Sequence, residues 1–355
     1  MSQKNSPHYF LSANAGEGFL SLYEDAISPY DYDKIFVIYG GPGTGKSTIM
    51  HRMGEMAESA GASTEYIHCS SDPHSLDGVI CIKNGKRIAV LDGTPPHPRT
   101  ITSPGFKEEL WDIGTFFNVI SLAKQGECIL EQSKKKKKAY ALAYHWLGAA
   151  RLCHENIQTA YREQLSLPKM REQIHRTLRK LPTHDKSNGV KMLARAYGMF
   201  GETVETRAFC QSENIVVLRG PKYAAEVYLS VWEGVLREKG IAHTKYLSPL
   251  APAFLDGIYI PALGCSYIHE SLWRASGEVR KINMQRFKIG TGYKDTSLKE
   301  ACKVEKKLLS MALSALCEAS RAHFALEDIY KTVVDFEALG KKSEEWIAHA
   351  LLSLE

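Results

Sequence analysis

The residues with the clearest capacity for chemistry are Gly40-Gly41-Pro42-Gly43-Thr44-Gly45-Lys46-Ser47-Thr48. They fit G-x-x-x-x-G-K-[ST], a spacing in which glycines let backbone N–H groups turn inward around the β- and γ-phosphates of a nucleotide. Lys46 would add a point charge at those phosphates, and the Ser47 hydroxyl could ligate Mg²⁺. The flanks suit the motif. Ile35-Phe36-Val37-Ile38-Tyr39 reads as a buried strand feeding the loop, and Ser47 to Ala60 as an amphipathic helix stopped by Gly61. The expectation is one nucleoside triphosphate, ATP with Mg²⁺, cradled by Gly40 to Thr48.

Three side chains could complete such a site. Arg87-Ile88-Ala89-Val90-Leu91-Asp92 has the form of a Walker B strand, four apolar residues ending in a carboxylate. Asp92 would then hold Mg²⁺ together with Ser47, and Lys46, Asp92, Asp72 and His97 are the candidate catalytic residues. The alternative is that Asp92 merely begins a turn with Gly93. Because Gly93 and not glutamate follows Asp92, motor and transporter ATPases with an adjacent water-activating base are disfavoured. Asp72 and His97 lie after expected strand ends, where ligands of open α/β sheets bind. Each could reach the γ-phosphate, an attacking water or an acceptor hydroxyl. Asp72 could equally cap the turn at Pro73-His74-Ser75, and His97 could be a plain loop histidine between prolines. Arg99 is a further candidate cation, resting on a single loop arginine.

A degraded copy of the loop lies 179 residues downstream. At that offset Val37, Gly41 and Pro42 fall on Val216, Gly220 and Pro221, and Leu76-Asp77-Gly78 on Leu255-Asp256-Gly257. Gly43, Gly45, Lys46 and Ser47 become Lys222, Ala224, Ala225 and Glu226. Without the glycines the loop cannot wrap a phosphate, and Glu226 sets a negative charge where the anion should lie. Asp77, repeated as Asp256 in a loop without a ligand, reads as structural. Further on, Lys137-Lys138, Ala143, Ala150, His154 and Tyr161 match Lys306-Lys307, Ala312, Ala319, His323 and Tyr330 at an offset of 169. The duplication therefore spans the chain.

The elements that must position these groups follow from pattern. Strands are expected at Ile35–Tyr39, Thr64–Cys69, Gly78–Ile82 and Arg87–Leu91, the last two joined by a turn at Asn84-Gly85. Gly105 to about Leu181 reads as helical, followed by a linker around 181–189. In the second half Ile215–Leu218 and Gly257–Ile260 read as strands and Leu298–Ser353 as two helices. The fold class is α/β, two P-loop NTPase-like domains in tandem at 1–183 and 184–355, each a mainly parallel sheet with a helical extension.

At 355 residues and 44% apolar content, two ordinary cores can be buried. No run approaches the roughly 20 apolar residues of a membrane helix, and 1–14 lacks the layout of a signal peptide. The eight cysteines form no C-x-x-C pair and read as reduced thiols of a cytoplasmic protein. A net charge of +5 does not argue for nucleic acid. Lys134 to Lys138 reads as a solvated helix face, and His154 and His323 as hydrogen-bonded helix residues. No cysteine, histidine and acid group has zinc spacing.

Gly40 to Thr48, His68-Cys69-Ser70-Ser71-Asp72-Pro73 with Ser75-Leu76-Asp77-Gly78, and Leu91-Asp92-Gly93-Thr94 with Pro96-His97 together resemble a bacterial family of duplicated P-loop, ATPase-like proteins. His323, Leu326-Glu327, Tyr330 and Asp335-Phe336 resemble its closing helix. The resemblance covers nearly the whole chain and implies a tandem P-loop fold and nucleotide binding, but no particular substrate. Members often keep a recognisable second loop; this chain departs at Lys222 to Val227, which removes a second active site from what the resemblance implies. Three functions stay open: slow ATP hydrolysis with a nucleotide-free pseudo-domain, phosphoryl transfer to a small-molecule acceptor near Asp72 and His97, and a nucleotide-sensing module for a protein partner.

Overall fold

In the computed structural model, which describes residues 6–96, 99–182, 189–274, 279–289 and 296–355, one arrangement of strands occurs twice. The first copy runs through β1 (His8–Phe10), a hairpin of β2 (Ser12–Ala15) and β3 (Gly18–Ser21), a one-turn helix α1 (Tyr23–Ala26), β4 (Lys34–Tyr39), α2 (Lys46–Ser59), β5 (Ser63–His68), β6 (Leu76–Lys83), β7 (Lys86–Asp92) and β8 (Glu108–Asp112). Helices α3 (Val119–Lys124), α4 (Gly126–Glu163) and α5 (Leu167–Thr177) follow. The second copy has β9 (Val190–Met192), the hairpin β10 (Arg195–Gly198) and β11 (Gly201–Val204), β12 (Asn214–Arg219), α6 (Lys222–Glu238), β13 (Thr244–Leu247), β14 (Leu255–Ile260), β15 (Cys265–His269) and β16 (Arg280–Asn283). It closes with α7 (Thr296–Lys331) and α8 (Phe336–Leu352).

The chain is thus mixed α/β with two six-stranded, mainly parallel sheets. Their orders, β1-β5-β6-β7-β4-β8 and β9-β13-β14-β15-β12-β16, correspond strand for strand, and β6 and β14 run antiparallel in each. β4 is an unbroken apolar run because both its faces are covered. Alternate residues Phe36 and Ile38 pack with α2, while Ile35 and Val37 join the larger core on the other face. The β6–β7 turn has Asn84 at φ 54° and Gly85 at φ 80°, the left-handed pair that an Asn-Gly hairpin requires.

Two expectations need correction. The stretch from Gly105 is not helical at first: β8 pairs in parallel with β4, from Ile35 opposite Glu108 to Tyr39 opposite Asp112. Pairing with an already buried strand outweighs the weak local pattern of a polar edge segment. Arg99 is committed to that edge. It is ion-paired at 2.9 Å with buried Glu108 and donates to the Ile27 carbonyl, so it holds the sheet and does not serve the loop.

The helices do not stay with their own copies. α8 lies on the first sheet, where Leu339, Trp346 and Ile347 pack among Phe36, Met50 and Met53, and Trp111 stacks on Trp346 with centroids 4.7 Å apart. Reciprocally, Met170 and Ile174 of α5 join the core built around α6 and the second sheet. α4 and α7 make the crossing possible. They run antiparallel along each other, the small residues Ala143, Ala150, Ala312 and Ala315 letting their axes approach closely. At 1.5 Å per residue α4 spans about 57 Å, enough to reach from one loop to the other. All eight cysteines are free thiols, and no helix among the described residues is long and apolar enough to cross a membrane.

Candidate functional site

Gly40 to Lys46 connect the C-terminal end of β4 to the N-terminus of α2. Gly43 and Gly45 take φ of 68° and 91°, left-handed values open to glycine, which turn the loop back on itself before α2 begins. The buried Lys46 ammonium donates to the carbonyls of Gly40 (3.0 Å) and Gly41 (2.7 Å), and Thr44 Oγ1 donates to Gly41 at 2.7 Å. Ser47 Oγ accepts the Leu76 N–H at 2.9 Å, which leaves it a second lone pair.

β7 lies beside β4, with Asp92 opposite Ile38, so its carboxylate arrives next to the loop. Asp92 Oδ2 is 3.6 Å from Lys46 Nζ, while Oδ1 accepts the Thr94 N–H at 2.7 Å. Thr94 Oγ1 in turn donates to Gly40 at 2.8 Å, tying the two strand ends together. Burial pushes the Asp92 carboxyl up; Lys46 opposes that shift, and the negative charge of buried Asp77 adds to it. Sequence reasoning set Asp77 aside because Asp256 repeats it. In the fold Asp77 contributes to the field around Asp92, whereas Asp256 is paired with Arg195 at 3.0 Å.

Asp72 does not turn toward the loop. Its carboxylate accepts from the His74 N–H (3.2 Å) and the Ser75 hydroxyl (2.8 Å), the capping role that was its alternative. His97 lies outside the described residues.

Sequence reasoning missed the helices that close over the loop. A Cβ added at Gly41 would meet the Tyr330 ring at 2.7 Å, and one at Gly43 would meet Cβ of Glu327 at 2.9 Å. α7 therefore rests directly on the glycines. On α4 the lysine run is not uniformly solvated. Lys136 is half-buried between exposed neighbours, and its Nζ lies 3.1 Å from His323 Nδ1. Burial lowers the Lys136 ammonium; Cys69 and Glu327 oppose that shift, and the charge of Lys46 adds to it. The signal was available: Lys136, Tyr140, Ala143, Leu147, Ala150 and His154 keep the spacing of one helix stripe, whose later members are the buried face of α4.

The second loop is filled from within. Glu226, at the Ser47 position, is buried and faces His154 Nε2 at 3.0 Å and Gln158 Nε2 at 3.2 Å. Glu305, at the Lys136 position, is bound by the Lys222 ammonium, by the Tyr223 hydroxyl at 2.6 Å and by His154 Nδ1 at 3.4 Å. Against the desolvation of burial, the bonds to Glu226 and Glu305 raise His154 to about 9, those from His154, Lys222 and Tyr223 hold Glu305 down at about 2, and burial pushes Glu226 up. A cavity of about 340 Å³ opens beside this loop, lined by Pro221, Ala224, Tyr161 and Lys306 among others, away from Lys46.

His8, His68 and Glu205 bring three possible metal-ligand atoms within 4.8 Å of one another, a group that comes from three separate segments. Its bonds are already made among themselves and their neighbours. His8 Nδ1 and His68 Nε2 are 2.8 Å apart, His68 Nδ1 meets the Pro73 carbonyl at 2.8 Å, and both Glu205 oxygens take Arg207. No family model, curated protein or solved structure matches the chain.

Proposed function

We propose that the protein binds one ATP with Mg²⁺ at Gly40 to Thr48 and hydrolyses it slowly, while the second half, its loop filled by its own carboxylates, serves as a nucleotide-free partner domain. The observation that supports this reading best is the convergence of Lys46, Ser47 and Asp92 at the ends of two adjacent parallel strands. Lys46 now donates to loop carbonyls; a phosphate would offer it stronger, charge-assisted acceptors in their place. The N-terminus of α2 and the glycine N–H groups would add to the attraction for an anion. Ser47 and Asp92 would hold Mg²⁺, which supplies positive charge against the carboxylates of Asp77 and Asp92.

The experiment is calorimetric titration with ATP, with and without Mg²⁺, expecting a stoichiometry near one per chain. Asp92→Asn should keep the fold and lose most of the Mg²⁺ dependence of binding. If that variant binds normally at limiting Mg²⁺, Asp92 is not the metal ligand.

No acid follows Asp92 to orient water. Release of inorganic phosphate by the isolated protein should therefore be slow, on the order of one per second or less. Turnover well above that would reveal a catalytic base not identified in the fold. Transfer to an acceptor has lost the support of Asp72, whose carboxylate is engaged in its own turn. A phosphorylated metabolite accumulating while free phosphate stays flat would nevertheless decide for transfer and against hydrolysis.

A further inference from the structure

The filled loop is an internal template for the empty one. Glu305 of α7 reaches across to Lys222 and Tyr223, the positions of Gly43 and Thr44 in the first loop. The residue of α4 matching Glu305 at the offset of 169 is Lys136, and the partner of His154 is His323. By the repeat, the first half carries an ammonium where the second half places a carboxylate over the turn of the loop. Glu327 of α7 also rests on the first loop.

We propose that Lys136, positioned by His323, binds the terminal phosphate of the nucleotide together with Lys46. This rests on the reading of Gly40 to Thr48 as a nucleotide site. One hydrogen of the Lys136 ammonium is used on His323 Nδ1, and among the described residues two remain for an acceptor. The acid nearest His323 is Glu327, and it is already engaged by His323 Nε2 at 3.3 Å and by Lys331 at 3.0 Å. Lys46 already faces Asp92 and His323 faces Glu327, whereas Lys136 forms no ion pair among the described residues, and a terminal phosphate would give its ammonium a direct counter-charge. The phase of α4 turns Lys136 inward while Lys134, Lys135, Lys137 and Lys138 stay exposed.

The consequence is a reader of nucleotide state. α7 touches the loop through Glu327 and Tyr330, and α4 and α7 continue to the second loop, so a contact made only with the γ-phosphate is felt along both helices.

The test is to titrate full-length protein with ATP and with ADP, each with Mg²⁺, comparing wild type with Lys136→Ala, Lys136→Arg and Lys134→Ala. Lys136→Ala should weaken ATP about ten- to hundredfold while ADP changes less than about threefold, because one charge-assisted contact is lost only where a γ-phosphate exists. Lys136→Arg should restore part of the preference, and Lys134→Ala should bind as wild type. An unchanged ATP to ADP ratio in Lys136→Ala, or an equal loss of both, overturns the assignment of the terminal phosphate while leaving the site itself standing. Wild-type protein that takes up neither nucleotide overturns the nucleotide reading and this inference with it.

Discussion

Replacing Lys46 by alanine is expected to weaken ATP binding about a hundredfold, the equivalent of about 3 kcal/mol, and to leave no other site on the chain that binds ATP. The size follows from what Lys46 touches. Its ammonium is buried, donates to Gly40 and Gly41 and faces Asp92 at 3.6 Å, so it is held in place before any ligand arrives. Preorganised charge loses little entropy on binding, which is why its removal is costly. Folding and binding can be read separately. The variant leaves Asp92, whose carboxyl burial already raises, without its cation, so Asp92 would take up a proton and the fold would lose only part of its stability. Circular dichroism should show a folded protein, and calorimetry a lost site. Two sites per wild-type chain, or binding unchanged by Lys46→Ala, would falsify the assignment.

His154→Ala should be the most destabilising change outside the hydrophobic cores, costing about 3–5 kcal/mol near pH 6, because it strips the shared partner from two buried carboxylates. The loss should depend on pH. His154 titrates near 6.5 in an unfolded chain and at about 9 in the fold, so folding is favoured by its protonation. That contribution is complete below about pH 6.5 and fades as pH rises through about 9; it corresponds to about 3 kcal/mol. Denaturant unfolding of wild type and variant at pH 6, 8 and 10 should show the gap narrowing across that range. A gap of constant size would mean that the imidazole is neutral between Glu226 and Glu305. Lys222 and Tyr223 face the same cluster but are present in both proteins, so the difference isolates the histidine.

Much of this molecule is local, and local features are legible in a sequence. Glycine spacing, an apolar run and a helical period are enough to place β4, the loop and α2. Asn84-Gly85 marks its own turn, because left-handed backbone is tolerated by few residues. Asp92 ends its strand where the alternation stops, and offsets of 179 and 169 reveal the repeat before any coordinate does. β8 was not legible, since Glu108, Glu109 and Asp112 are polar and its strand form is imposed by pairing with β4. The reciprocal placement of α5 and α8 was hidden for a different reason. An amphipathic helix specifies that it needs an apolar surface, and two nearly equivalent sheets offer it one each. Lys136 had its phase written in the helix stripe, but what that stripe faces is decided by α7, nearly two hundred residues away. The pairing of β1 with β5 brings His8 to His68, but Glu205 joins them only because the two halves pack together. The sequence alone determined which loop carries the glycines that a phosphate cradle would need and which copy lacks them. Tertiary structure decided which distant side chains, Glu327 and Tyr330 among them, rest on that loop, because such contacts form only after the long helices have crossed between the halves.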